Sequence, residues 1–99
     1  MTIVAAQCRA ARALIEWTQM RLSTASGVPK SVIAAFETGR KTPAGSELDK
    51  LRHGLEEAGV VFIAENGGGS GVRLKFNRSQ VKQIDRMENE GGPVRDDDI

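Results

Sequence analysis

The chain has 99 residues, 39% of them hydrophobic and 27% charged, with a formal net charge of +1. That size suits one compact domain with a modest core, or a smaller unit completed by a partner chain. No apolar run of about eighteen residues and no leader pattern occurs, so no membrane segment is expected and a cytosolic protein is the expectation. A single cysteine, Cys8, excludes a disulfide framework within the chain.

The small net charge hides an asymmetry. Residues 9–52 hold eight Lys or Arg against four Asp or Glu, or +4, whereas residues 53–99 hold six against nine, or −3. A basic front suits phosphate binding, although ordinary solvated surface can show the same imbalance, so the charge persuades only beside a motif.

In chain order, Val4, Cys8, Ala11 and Ile15 recur at helical spacing in an alanine-rich stretch and predict a first helix over 3–15, with Cys8 as a buried small apolar residue. Trp17 can in principle stack on a base, but in front of a helix cap it packs across the junction. Thr18 offers its side-chain oxygen to free N–H groups and opens a second helix that runs to Ser26, with Leu22 and Ala25 on one face. Gly27 suits the left-handed backbone that ends a helix, and Pro29 suits the first turn of the next, over 28–38. In that helix Ile33 and Phe36 insert into the domain, leaving Lys30, Ser31, Ala34 and Ala35 on other faces, and Gly39 stops it.

Pro43 marks a loop. Ser46 and Asp49 have the spacing of a capping pair, and Leu48, Leu51, Leu55 and Ala58 form an apolar stripe ending at Gly59, which predicts a fourth helix. The β-prone runs Val60 to Ala64 and Val72 to Phe76 flank a loop with four glycines and predict a hairpin. Such a loop invites a phosphate-cradle reading, but a phosphate loop runs from a strand into a helix, and here a second strand follows. His53 has no thiol or paired carboxylates at ligand spacing, and Glu56 and Glu57 sit on an ordinary helix surface, so no metal, cofactor or catalytic constellation is expected. Val81, Ile84 and Met87 after Ser79 predict a further helix over 79–90, and residues 91–99, with Asp96, Asp97 and Asp98, a disordered acidic tail. The fold class is therefore mainly α, a four- or five-helix bundle with a C-terminal β-hairpin.

Gln19, Leu22, Ala25, the Ser26-Gly27-Val28 turn, Ile33 and the run Phe36-Glu37-Thr38-Gly39-Arg40 together resemble the phage repressor and Cro-like family, the Xre family of helix-turn-helix regulators, over residues 8–59. The resemblance implies a DNA-binding domain over 1–59, with the motif's second helix in the major groove and its first crossing the backbone above it. Carried over by position, it puts Lys30, Ser31, Ala34 and Ala35 at base edges, and Thr18, Gln19, Thr38, Arg40 and Lys41 at phosphates. It further implies an internal salt bridge between Arg12 and Glu37. Pro29 departs from the pattern, replacing a hydrogen-bonding residue such as Ser or Thr.

These readings converge on a sequence-specific transcriptional regulator, a repressor acting as a homodimer on an inverted repeat in double-stranded DNA. Two recognition helices on such a repeat stand about 34 Å apart, a spacing that a two-fold interface fixes. A lone hairpin leaves strand edges unpaired, so residues 60–90 are assigned to dimerisation, with Val60, Val61, Phe62, Ile63, Val72, Leu74 and Phe76 at the interface. The alternative for these strands is a hairpin folded back on its own helices. Rivals for the function are the antitoxin of a toxin–antitoxin pair, whose residues 60–99 grip a partner protein, and an accessory that keeps the fold without reading DNA.

Overall fold

The computed structural model describes residues 2–75, in which four helices precede one antiparallel hairpin: α1 (Ala5–Ile15), α2 (Gln19–Ser26), α3 (Lys30–Glu37), α4 (Gly45–Glu57), β1 (Val60–Ile63) and β2 (Gly71–Leu74). Phe76, the helix expected over 79–90 and the tail 91–99 lie outside the described residues.

The first helix starts later than its spacing suggests. Val4 is extended, and Ile3, 2% exposed, enters the core from the chain ahead of the helix. Gln7 makes the difference: its Oε1 accepts the Val4 N–H at 2.9 Å and closes the helix start. At the other end Glu16 takes a left-handed backbone, φ 58°, which costs a non-glycine residue roughly 1 kcal/mol. Two hydrogen bonds stabilise that turn, Glu16 N–H to the Ala13 carbonyl and Trp17 N–H to the Arg12 carbonyl.

Thr18 caps α2, its Oγ1 accepting the Arg21 N–H at 3.0 Å, and Gly27 ends it with φ 81°. Leu22 is the one fully inward residue of this helix, and Ala25 is exposed, contrary to expectation. An eight-residue helix offers a single contact line, and Val28 beyond the turn takes the next core position. Pro29 serves as the residue before α3, extended at φ −57° and ψ 144°, and not within its first turn; α3 then places Ile33 and Phe36 in the core as expected.

A second correction concerns α4. It starts at Gly45 behind Ala44, with no side-chain cap, so Ser46 and Asp49 do not act as the expected capping pair. The cap position falls at Ala44, two residues ahead of Ser46 and next to the buried Pro43. Leu48, Leu51 and Leu55 form the buried stripe. Gly54 lies where α4 meets α2: a Cβ there would sit 3.4 Å from both Cα and Cβ of Ser26. The glycine therefore sets how closely the two helices pack.

In the hairpin, Val60 pairs with Leu74, Val61 with Arg73, Phe62 with Val72 and Ile63 with Gly71. Opposed residues share a face, so Val60, Phe62, Val72 and Leu74 point one way and Val61, Ile63 and Arg73 the other. The first set packs on the helices, with Val60 2% and Phe62 9% exposed and Val72 and Leu74 against the same cluster. This corrects the assignment of all the strand residues to a dimer interface: the hairpin folds back on its own helices, which offer the apolar surface its inner face needs. Val61 is half-buried and Ile63 exposed on the outer face. Gln7 fastens the arrangement from α1, its Nε2 donating to the Ile63 carbonyl at 3.1 Å and the Gly71 carbonyl at 3.0 Å. Among the described residues no helix is long and apolar enough to cross a membrane.

Candidate nucleic-acid interface

The last residue of α3, Glu37, is 3% exposed and has its carboxylate filled by four hydrogen bonds. Oε1 accepts from Arg12 Nη2 at 2.6 Å and Gln19 Nε2 at 2.9 Å; Oε2 accepts from Arg12 Nε at 2.8 Å and the Cys8 thiol at 3.1 Å. Burial alone pushes the Glu37 pKa up, but the combined donation from Arg12, Gln19 and Cys8 outweighs it and holds the carboxyl below its ordinary value. The Cys8 thiol is driven the opposite way, far above its usual range, by burial first and then by its bond to this carboxylate.

This cluster ties α1, α2 and α3 to one another. Arg12 also donates from Nη1 to the Trp17 carbonyl at 2.9 Å, and Arg9 donates to the Glu37 main-chain carbonyl. One carboxylate thus joins α1, the α1–α2 junction, α2 and the end of α3. Arg12 and Glu37 pair with the bidentate geometry that makes Arg–carboxylate bonds strong. Trp17 packs half-buried on the core, with the Arg21 guanidinium 4.9 Å over its ring.

Outward from that hub, Lys30 and Ser31 are exposed at the start of α3, and Ala34 and Ala35 are half-buried one turn further on. Pro29 supplies no side-chain cap and α3 has no acidic residue in its first turn, so the helix start keeps a positive partial charge. Beyond α3 the main-chain N–H groups of Arg40 and Lys41 both donate to the Ala35 carbonyl, at 2.9 and 3.2 Å, which roots two exposed cationic side chains beside the helix. From Trp17 to Ser46 the charged residues are Arg21, Lys30, Glu37, Arg40 and Lys41. The only carboxylate among them is buried and ion-paired, so the surface of this stretch carries positive charge alone.

Two of the residues expected at phosphates are engaged internally. Gln19 commits one amide N–H to Glu37, leaving its second for an outside acceptor. Thr38 turns its hydroxyl onto its own helix, within 3.0 Å of the Ala34 carbonyl and 3.2 Å of the Ala35 carbonyl, so its single proton is not free for a phosphate as expected. Thr18 accepts the Arg21 N–H and keeps its own proton to donate.

Sequence reasoning missed Gln7 and Arg9, and it read Cys8 as packing alone. The bonds of Arg9, Cys8 and the Gln7 Nε2 all go to partners distant in sequence, although Gln7 does share the inward face of α1 with Cys8, Ala11 and Ile15 and accepts the nearby Val4 N–H. The glycine loop is organised by its own acidic residue, Glu65 accepting the N–H groups of Gly67 and Gly69. His53 forms an exposed pair with Glu57, 3.1 Å away, and no group of three or more potential metal ligands occurs among the described residues. No known family model matches the chain, and no curated protein matches it either.

Proposed function

We propose that the chain is a sequence-specific DNA-binding transcriptional regulator of the repressor-like, Xre type, with α3 entering the major groove and α2 crossing above it. The observation that carries this reading is the surface from Trp17 to Ser46: two short helices joined by a glycine turn, with Lys30 and Ser31 presented at the start of the second and no exposed carboxylate to repel a phosphate backbone. In this arrangement Lys30 and Ser31 reach base edges, Ala34 and Ala35 allow close approach of the helix, and Arg40, Lys41, Thr18 and the second Gln19 N–H hold phosphates.

As a repressor it binds an inverted repeat as a homodimer. The outer hairpin face, with Val61 and Ile63, and the outer strand edges are the parts of the hairpin left for a second chain. Selection of bound sequences from random duplex DNA tests the proposal. The enriched pool should contain two inverted half-sites whose centres lie about one helical turn apart. A pool no different from the input would overturn it.

A further inference from the structure

The tip of the hairpin brings together the parts of a main-chain reaction. Residues 64–70 are exposed, and within them Glu65 Oε2 accepts the Gly67 N–H at 3.0 Å and the Gly69 N–H at 3.0 Å, while Asn66 Oδ1 accepts the Gly68 N–H at 3.4 Å. Gly67 adopts φ 101°, a conformation that side chains rarely take, and a Cβ added there would meet nothing within 4 Å. The nitrogen of Gly67 thus lies in an exposed segment, donates its hydrogen to a carboxylate, and is next in sequence to a side-chain amide whose oxygen already receives a hydrogen bond.

We infer that Asn66 is a site of spontaneous modification, in which the Gly67 nitrogen attacks the Asn66 side-chain amide with Glu65 as base and the Gly68 N–H as oxyanion donor. The Gly67 nitrogen gives its proton to the Glu65 carboxylate and forms a bond to Asn66 Cγ. The electron pair of the carbonyl moves onto Oδ1, where the Gly68 N–H stabilises it. Collapse restores the carbonyl and breaks the Cγ–Nδ2 bond, and the nitrogen leaves as ammonia with the proton held by Glu65. Water then opens the five-membered imide at one or other carbonyl, leaving an aspartyl or an isoaspartyl residue at position 66. No oxidant or cofactor takes part. The product exchanges a neutral amide for a carboxylate, taking the formal net charge from +1 to zero, and places a second negative charge next in sequence to Glu65 in the same turn. This chemistry is independent of the DNA-binding proposal.

Ageing of the full chain at neutral pH, followed by peptide mapping, tests the inference with internal controls. Asn77 precedes Arg78 and Asn89 precedes Glu90, so neither has a glycine nitrogen next to it. The expected result is a gain of about 1 Da at Asn66, ahead of both controls, with aspartyl and isoaspartyl products. Gly67→Ala and Glu65→Gln should each slow the conversion by about tenfold. Asn66 unchanged while Asn77 and Asn89 convert would overturn the site, and Glu65→Gln converting at the parent rate would overturn the part assigned to Glu65.

Discussion

Arg12 and Glu37 meet through two hydrogen bonds, Nη2 to Oε1 at 2.6 Å and Nε to Oε2 at 2.8 Å, across a gap of twenty-five positions in the chain. The pair is unequal in burial: the Arg12 side chain is 20% exposed and that of Glu37 2%. Its stability contribution therefore depends on the buried carboxylate keeping its donors, more than on charge attraction in water.

Glu37→Gln keeps the shape but turns one acceptor into a donor facing Arg12, Gln19 or Cys8. It should lower unfolding stability by about 2–3 kcal/mol in urea titration. A loss within the roughly 0.5 kcal/mol of ordinary surface substitutions would mean that the cluster is energetically idle.

The pH dependence follows from the same site. Glu37 has a folded pKa below its unfolded value, so its contribution is fully present above the unfolded carboxylate pKa of about 4.3 and is lost as pH falls through the folded value. Cys8 has a folded pKa above its unfolded value, so the native thiol stays neutral and stability declines as pH rises past the free-thiol value of about 8.5. Urea midpoints measured across pH should fall at both ends for the parent; Glu37→Gln should flatten the acid limb and Cys8→Ala the alkaline one. Unchanged limbs in these variants would assign the titration to other groups.

Gln7→Ala removes the acceptor of the Val4 N–H and the donor shared by the Ile63 and Gly71 carbonyls. The expected cost is about 1–3 kcal/mol, concentrated where α1 meets the hairpin. Hydrogen exchange should show β1 and β2 losing protection before α4. Uniform loss across both would mean that the hairpin and the helical bundle open as one unit.

How much of this was legible beforehand depends on where each residue finds its partner. Leu48, Leu51 and Leu55 announce α4 because helical spacing makes them neighbours without any other element, and Gly27 announces the turn because the backbone conformation there excludes most side chains. Ala25, Ser46 and the strand residues follow local rules equally well, yet tertiary packing places them differently. Val28 is buried where Ala25 is exposed, α4 opens at Gly45 ahead of Ser46, and α1 and α4 cover the inner hairpin face. In the candidate interface, the positive residues were readable from their sequence positions. The Arg12–Glu37 bridge was implied by the resemblance; the inward turn of Thr38 and the further donors to Glu37, Cys8 and Gln19, were not readable, because each depends on atoms that folding alone brings within reach.

Lys30 and the pair Arg40 and Lys41 should separate in their effects on DNA binding. Lys30→Ala should relax preference at particular base pairs, at a cost on the order of 1–3 kcal/mol of discrimination. Arg40→Ala and Lys41→Ala should instead weaken all sequences alike and flatten the slope of log affinity against log salt by about one unit each. A uniform loss for Lys30→Ala would reassign it to the phosphates. Thr38→Ala, which removes a hydroxyl already bonded to its own helix, should leave the salt slope unchanged.

The most direct test is the affinity of the purified chain for a selected duplex against a random duplex of equal length, titrated at physiological salt. Sequence-specific recognition through α3 predicts binding at least about a thousandfold tighter to the selected duplex, with most of that ratio lost in Lys30→Ala. Equal affinity for the two duplexes would contradict it.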